Sequence, residues 1–271
     1  MQTLHVNEYD MAYLEVGKGP PLVCVHGTLG DFRTWNSVVG PLSKQRRVIS
    51  VSLRRFFPEH WNGVGDDYFM AQHVSDVIAF IEKLGAAPVD LMGHSRGGHI
   101  AFRVAEQRPD LLRRLVLAEP GGDLDASLIP PGAPPPPPMP LATAMPIVLQ
   151  SIRGGDIDGA LRVFVDAIDG DGAWARMPAA AKQQLRDNIF TLLGQAGENR
   201  KPFTKAQAES IRTPTLFIGG GNTTGSLATV HRVLAQHFAN SQTGMIDGAR
   251  HWMFDEAPQE YCRIVLAVLA E

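Results

Sequence analysis

Short apolar runs recur along the chain at intervals that leave room for a helix between one run and the next. Residues 22–25, 48–51, 89–92, 115–118 and 215–218 have strand length and show no polar alternation, the pattern of strands buried on both faces. Between them lie helix-length stretches at 32–43, 71–84, 98–107 and 227–238. Strand and helix therefore alternate, which predicts an α/β fold with a parallel sheet covered on both sides. Two runs at the start, 3–7 and 12–16, predict antiparallel edge strands. A last strand is predicted at 244–246, followed by a C-terminal helix with Pro258 near its first turn.

The rhythm breaks between 118 and 215. Eight of the eleven residues from 130 to 140 are proline, and the stretch beyond them has helical periodicity. Leu161, Phe164, Val165 and Ile168 share one face, as do Leu185, Ile189, Leu192 and Leu193. This predicts a helical cap at 121–210 inserted into a core formed by 1–120 and 211–271. The proline run reads as a stiff hinge, with a ligand for a polyproline-reading partner as the alternative.

Composition narrows the classes of partner. The 271 residues carry a formal net charge of -3, with 44% hydrophobic and 20% charged positions. Such a balance gives no broad attraction for phosphate backbones or anionic lipid, so neither nucleic acid nor membrane is expected as a partner. No apolar run approaches the roughly 20 residues that span a bilayer, and polar residues 1–8 do not resemble a signal peptide. Cys24 and Cys262 lack ligand-like spacing and read as small buried residues. Together these predict a cytoplasmic protein.

The chemistry starts at Gly93-His94-Ser95-Arg96-Gly97. It follows a predicted strand and opens a predicted helix, the context of a nucleophile elbow. A side chain at Gly93 or Gly97 would crowd the neighbouring strand or helix, and Gly98 relieves the same crowding. A serine hydroxyl needs a base, and there are nine histidines. His26 and His94 are tied to glycine turns, His73, His99, His231 and His237 fall in helical segments, and His5 and His60 lack a motif. His251 remains, in a loop after the last strand. His26-Gly27-Thr28 follows the first buried strand and reads as an oxyanion loop, with the backbone N–H groups of Arg96 and Thr28 as donors and Gly27 as the fallback.

The His-Gly loop, Gly-His-Ser-Arg-Gly-Gly, the helical insert and the late Gly-x-x-His together resemble the α/β-hydrolase superfamily, over nearly the whole chain. The resemblance implies an eight-stranded, mostly parallel sheet with serine, acid and histidine arriving in that order. Most members carry the acid just after the penultimate strand, where this chain reads Gly220-Gly221-Asn222-Thr223. No Asp or Glu occurs between Glu209 and Asp247. Glu119, directly after the strand at 115–118 and before Pro120, is the candidate instead, because a carboxylate ending an apolar strand needs a partner and His251 supplies one. Asp123 and Asp125 lie further into the linker, and Asp247 is too near His251 in sequence to face its ring.

A Ser-Glu-His triad so placed is similar to that of the fungal zearalenone lactonases, as is the segment from Ala173-Trp174 through Met177 to Asn188. That resemblance implies Trp174 as a substrate contact. Another departure is Leu53-Arg54-Arg55-Phe56-Phe57-Pro58, where relatives place an Asp-x-x-Gly-x-Gly turn. Arg54 or Arg55 there would bind a substrate carboxylate or form structural ion pairs.

The expectation is hydrolysis of a carboxylic ester or lactone through an acyl-enzyme, with Ser95, His251 and Glu119 as triad and no metal or organic cofactor. The substrate is expected to be an apolar small molecule, given Met139, Leu141, Met145, Ile147, Trp174, Met177 and Phe190 in the cap. Carbon-carbon bond hydrolysis, cofactor-free chemistry on a heterocycle and a non-catalytic small-molecule receptor are the rival readings.

Overall fold

The structure, a computed structural model, describes residues 1–134 and 140–270. Four of the eight prolines of the run, and Met139 with them, therefore lie outside the described residues.

Eight strands form one sheet: β1 (Gln2–Val6), β2 (Tyr9–Val16), β3 (Pro21–Val25), β4 (Arg47–Val51), β5 (Val89–His94), β6 (Leu112–Ala118), β7 (Thr215–Gly220) and β8 (Ser241–Ile246). Their order is β1-β2-β4-β3-β5-β6-β7-β8. The pairs β1–β2 and β2–β4 are antiparallel, and the pairs from β3–β4 to β7–β8 are parallel. This is the α/β-hydrolase fold that the alternating pattern and the motifs led us to expect.

The central strands β3 to β7 carry apolar runs because both faces of the sheet are covered there. Val23, Val25, Leu91, Leu115 and Leu117 face one core, which they share with Val77 and Phe80 of α2 (Met70–Leu84 after α1, Asn36–Ser43) and Ile100 of α3 (Arg96–Gln107). Leu22, Cys24, Met92, Val116 and Ala118, one residue out of step, face a second core containing Val38 and Leu42 of α1 and residues of the C-terminal helices. Side chains that alternate across a strand thus meet apolar partners whichever way they point. Each such Val or Leu, fully buried, contributes roughly 1.5–3 kcal/mol. Cys24 and Cys262 are free and buried in the second core.

Between β6 and β7 the chain forms α4 (Pro140–Arg153), α5 (Ile157–Asp169), α6 (Ala173–Arg176), α7 (Ala179–Asp187), α8 (Thr191–Ala196) and α9 (Lys205–Ser210). Leu161, Phe164, Val165, Leu185, Ile189 and Leu192 build a third apolar cluster that also takes in Leu29 from the loop after β3. The predicted single face through 185–193 is in fact split between α7 and α8 at Asn188. That buried amide donates to Asp31 Oδ2 at 2.8 Å and accepts from the Phe57 N–H at 2.7 Å. A side chain committed to two loops of the sheet sets the position of the helices on either side. Arg33 adds an ion pair to Asp187 at 2.8 Å.

The chain closes with α10 (Gly225–His237) between β7 and β8, then α11 (Met253–Glu256) and α12 (Pro258–Ala270). No helix among the described residues is long and apolar enough to cross a membrane.

Candidate active site

Ser95 occupies the turn from β5 into α3 with φ 52° and ψ -115°, a region that costs a non-glycine residue on the order of 1–3 kcal/mol. Its surroundings enforce the turn. The Ser95 N–H donates to the Ala118 carbonyl at 3.0 Å, and the Ser95 carbonyl accepts from the Gly121 N–H at 2.9 Å. Closeness accounts for the flanking glycines: a Cβ on Gly93 would sit 2.2 Å from the Gly97 carbonyl oxygen, and one on Gly97 would sit 2.2 Å from that of Val25.

Glu119 follows β6 with φ 42°. Its N–H is held by the Ile218 carbonyl at 3.1 Å, which fixes this tight exit next to β7. The carboxylate is then used on both oxygens. Oε1 accepts from the Gly220 N–H at 2.8 Å, and Oε2 meets His251 Nδ1 at 2.7 Å. Burial by itself pushes the Glu119 pKa up, but the hydrogen bond and charge of His251 and the Gly220 N–H together hold it below the ordinary carboxylate value. The group is thus a buried anion facing an imidazole, and the two side chains are only 2% and 3% exposed.

His251 sits in the loop between β8 and α11 and is oriented by more than Glu119. Its carbonyl meets His94 Nε2 at 3.0 Å. A carbonyl only accepts, so Nε2 of His94 carries the proton; burial first, then the charge of His251, keeps the His94 ring neutral by pushing its pKa far down. The His251 N–H donates to Asp169 Oδ1 at 3.2 Å, and Arg250 Nη1 donates to the Asp169 carbonyl. The end of α5 is thereby tied to the histidine loop.

In the loop after β3, His26 accepts from the Leu53 N–H at Nε2, 3.1 Å, and lies 2.8 Å from the Gly27 carbonyl at Nδ1. Burial pushes its pKa down to about 4, so the ring is a neutral brace for Gly27 and Thr28. Thr28, Ser95, Arg96, His251 and Trp252 line one cavity of about 30 Å³. Gly27 lies instead in an adjoining cleft of about 1030 Å³, which shares Thr28, His94 and Trp252 with the cavity. Ser95 and His251 line the same cavity, without a hydrogen bond between their side chains, a looseness common in sites without substrate.

The other sequence candidates fall elsewhere. Trp174 packs in the third apolar cluster, with Lys182 and Arg186 over its ring at 5.1 and 5.6 Å, and lines neither cavity. Aromatic residues at the cavity are Phe164 and Trp252; Trp252 is next to His251 in sequence and hidden there as the neighbour of a catalytic candidate. Arg54 forks onto Asp76 at 2.9 and 3.0 Å, and Arg55 pairs with Asp67 and Glu59; both are structural ion pairs, not anion receptors. Asn222 fills the turn where relatives carry the acid, donating from its amide to the Gly248 carbonyl at 3.0 Å and from its N–H to that of Ala249 at 2.8 Å. It braces the histidine loop without touching the ring. Asp169 had no signal in the sequence, because its approach to His251 depends on how α5 docks. No cluster of His, Cys, Asp or Glu able to hold a metal ion occurs among the described residues.

A family model described as "Alpha/beta hydrolase family" matches residues 22–264. The chain belongs to that family. A mouse sn-1-specific diacylglycerol lipase is 27% identical over 93% of the chain and 81% of its own length, and a soluble epoxide hydrolase of Corynebacterium is 25% identical over 94% and 91%. Among solved structures, the enol-lactonase of Burkholderia xenovorans superposes with a TM-score of 0.80 at 18% identity, covering 99% of this chain and 100% of that one. The family match and these relatives support hydrolase activity, and the solved structure shares the fold.

Proposed function

We propose that the protein hydrolyses a carboxylic ester or lactone of a small molecule through an acyl-enzyme on Ser95. The observation that carries this reading is the Glu119–His251 pair at 2.7 Å beside a strained Ser95. An ionised Glu119 takes the proton of His251 Nδ1 in a hydrogen bond, which leaves Nε2 as the base for the Ser95 hydroxyl. Attack on the carbonyl builds an oxyanion, for which the backbone N–H groups of Arg96 and Thr28 are the donors. His251 then protonates the leaving alcohol and activates the water that releases the acid. Leu141, Phe164, Ile168 and Trp252 supply the apolar wall of the cavity. In this reading residues 121–210 act as a cap over the site. The names of the lipase and the enol-lactonase are in keeping with an ester or lactone substrate.

A fluorophosphonate probe tests the nucleophile. It should label the Ser95 peptide, and Ser95→Ala should abolish labelling and lower ester turnover by roughly a thousandfold or more. Labelling of a different serine in the intact protein would overturn the assignment.

A further inference from the structure

Among the described residues, the cavity at Ser95 holds a cation whose ion-pair partner is shared with a second guanidinium. Arg200, in the segment between α8 and α9, lines the same cavity as Ser95 and His251, and its side chain is 17% exposed. Its polar neighbours stand at the limit of contact: Glu198 Oε2 at 3.7 Å and the Gly121 carbonyl at 3.5 Å. Glu198 is already taken, because Arg96 grips its two oxygens at 2.7 and 2.8 Å, both side chains being buried. His73 and His99 do not alter the count; burial first, then neighbouring guanidinium charge, holds both imidazoles far below their ordinary pKa and so neutral. Tyr68 is kept protonated by burial, and the carboxylate of Asp123, which is exposed, exerts the weakest pull on Arg200. Two guanidiniums thus share one buried carboxylate, and a positive charge is left over at the cavity wall. Burial, and then the charge of Arg96, lowers the Arg200 pKa, a strain that an arriving anion relieves.

The geometry also says which part of a substrate meets this charge. The leaving alcohol must take a proton from His251, and the cavity adjoins the 1030 Å³ cleft through Thr28, His94 and Trp252, the last next to His251 in sequence. Arg200 reaches instead toward Gly121, where an added Cβ would stand 3.4 Å from Ser95 Oγ. The acyl portion is therefore left facing the arginine. A cavity of about 30 Å³ has room for little more than a couple of water-sized groups, so the distance from the reacting carbonyl to the anion is short.

Resting on the serine-hydrolase reading above, we infer that Arg200 is a carboxylate subsite on the acyl side, and that the substrates are half-esters or lactones of short dicarboxylic acids. The guanidinium forks onto the carboxylate and fixes the carbonyl against Ser95.

The test compares mono(4-nitrophenyl) succinate with 4-nitrophenyl butyrate, its uncharged counterpart of equal chain length, on the full chain. The ratio of their kcat/KM values should fall about 10- to 100-fold in Arg200→Gln, the worth of a charge-assisted contact, chiefly through KM for the succinate. Arg200→Lys, which keeps the charge but loses the fork, should recover part of the ratio; it also carries the test if Arg200→Gln fails to fold. An unchanged ratio, or equal loss on both esters, overturns the subsite. Calorimetric titration of Ser95→Ala protein with monomethyl succinate separates this site from the reading beneath it. Binding that Arg200→Gln weakens tenfold or more supports the subsite even where no fluorophosphonate attaches to Ser95, which is the failure of the serine assignment alone. No binding, or binding indifferent to Arg200, overturns the subsite even where Ser95 labels.

Discussion

Glu119 holds its place in the site through three separate contacts, to Ile218, Gly220 and His251. Glu119→Gln preserves the shape and removes the charge that fixes the imidazole tautomer and stabilises the imidazolium. Turnover of a 4-nitrophenyl ester should fall on the order of a thousandfold to ten-thousandfold, measured together with the melting temperature so that lost folding is not read as lost chemistry. Asn222→Ala, which removes one amide contact to Gly248, should lower turnover less than about tenfold. Near-normal turnover in a folded Glu119→Gln protein would move the acid elsewhere. Glu119 was readable in the sequence because a charged residue ending an apolar strand needs a partner and the usual acid turn lacks a carboxylate. The brace around it was not: Asn222 touches the histidine loop through backbone carbonyls, which leave no mark on residue type. Trp174 was less legible, since an aromatic between β6 and β7 packs equally well under Lys182 and Arg186 as against a ligand.

The central strands were legible to within three residues of their ends, because burial on both faces leaves an apolar run, whereas only the last half of the more exposed β8 was. The helical stretch at 32–43 was not so simple. Asp31 caps a 3-10 turn, Phe32–Trp35, before α1 begins, with Thr34 closing the capping box. The docking of the inserted helices was illegible altogether, and the end of α5 shows why. Asp169 sits partly buried against the His251 N–H, and burial pushes its pKa up from 3.8 to about 6, against the lowering effect of His251. The sign follows from proton counts: between roughly pH 4 and 6 the folded chain binds more protons here than the unfolded one, so stability declines as pH rises through that window. Above it the ionised carboxylate carries the full penalty. Asp169→Asn keeps an acceptor for the N–H and removes the charge. It should stabilise the protein at pH 8 by on the order of 1 kcal/mol, after solvent screening is allowed for, and by nothing measurable near pH 3.5. Thermal melts at the two pH values check this; a gain of the same size at both would show that the charge is not the cause.

Core and inserted helices meet at Trp252. Its ring packs against the apolar cluster under the sheet and against the cluster of the inserted helices, and it lines both the 30 Å³ cavity at Ser95 and the 1030 Å³ cleft beside it. The family scaffold was visible from the order of motifs, but no single stretch of sequence records a wall shared by two cavities, because that wall depends on α5, α6 and the histidine loop coming together. If the indole is the partition, thinning it should admit longer leaving groups or acyl chains to the serine. Trp252→Ala should raise kcat/KM for 4-nitrophenyl octanoate relative to the acetate by about tenfold, since a pocket that gains a few methylenes of room gains on the order of 1–3 kcal/mol of discrimination. Truncating a half-buried tryptophan also destabilises, by up to about 3 kcal/mol, so Trp252→Phe serves as the milder companion and should shift the preference in the same direction by less. A uniform loss on acetate and octanoate in both variants, in protein shown to be folded, would mean that the ring only bonds the two layers together and that substrate reaches Ser95 by another opening.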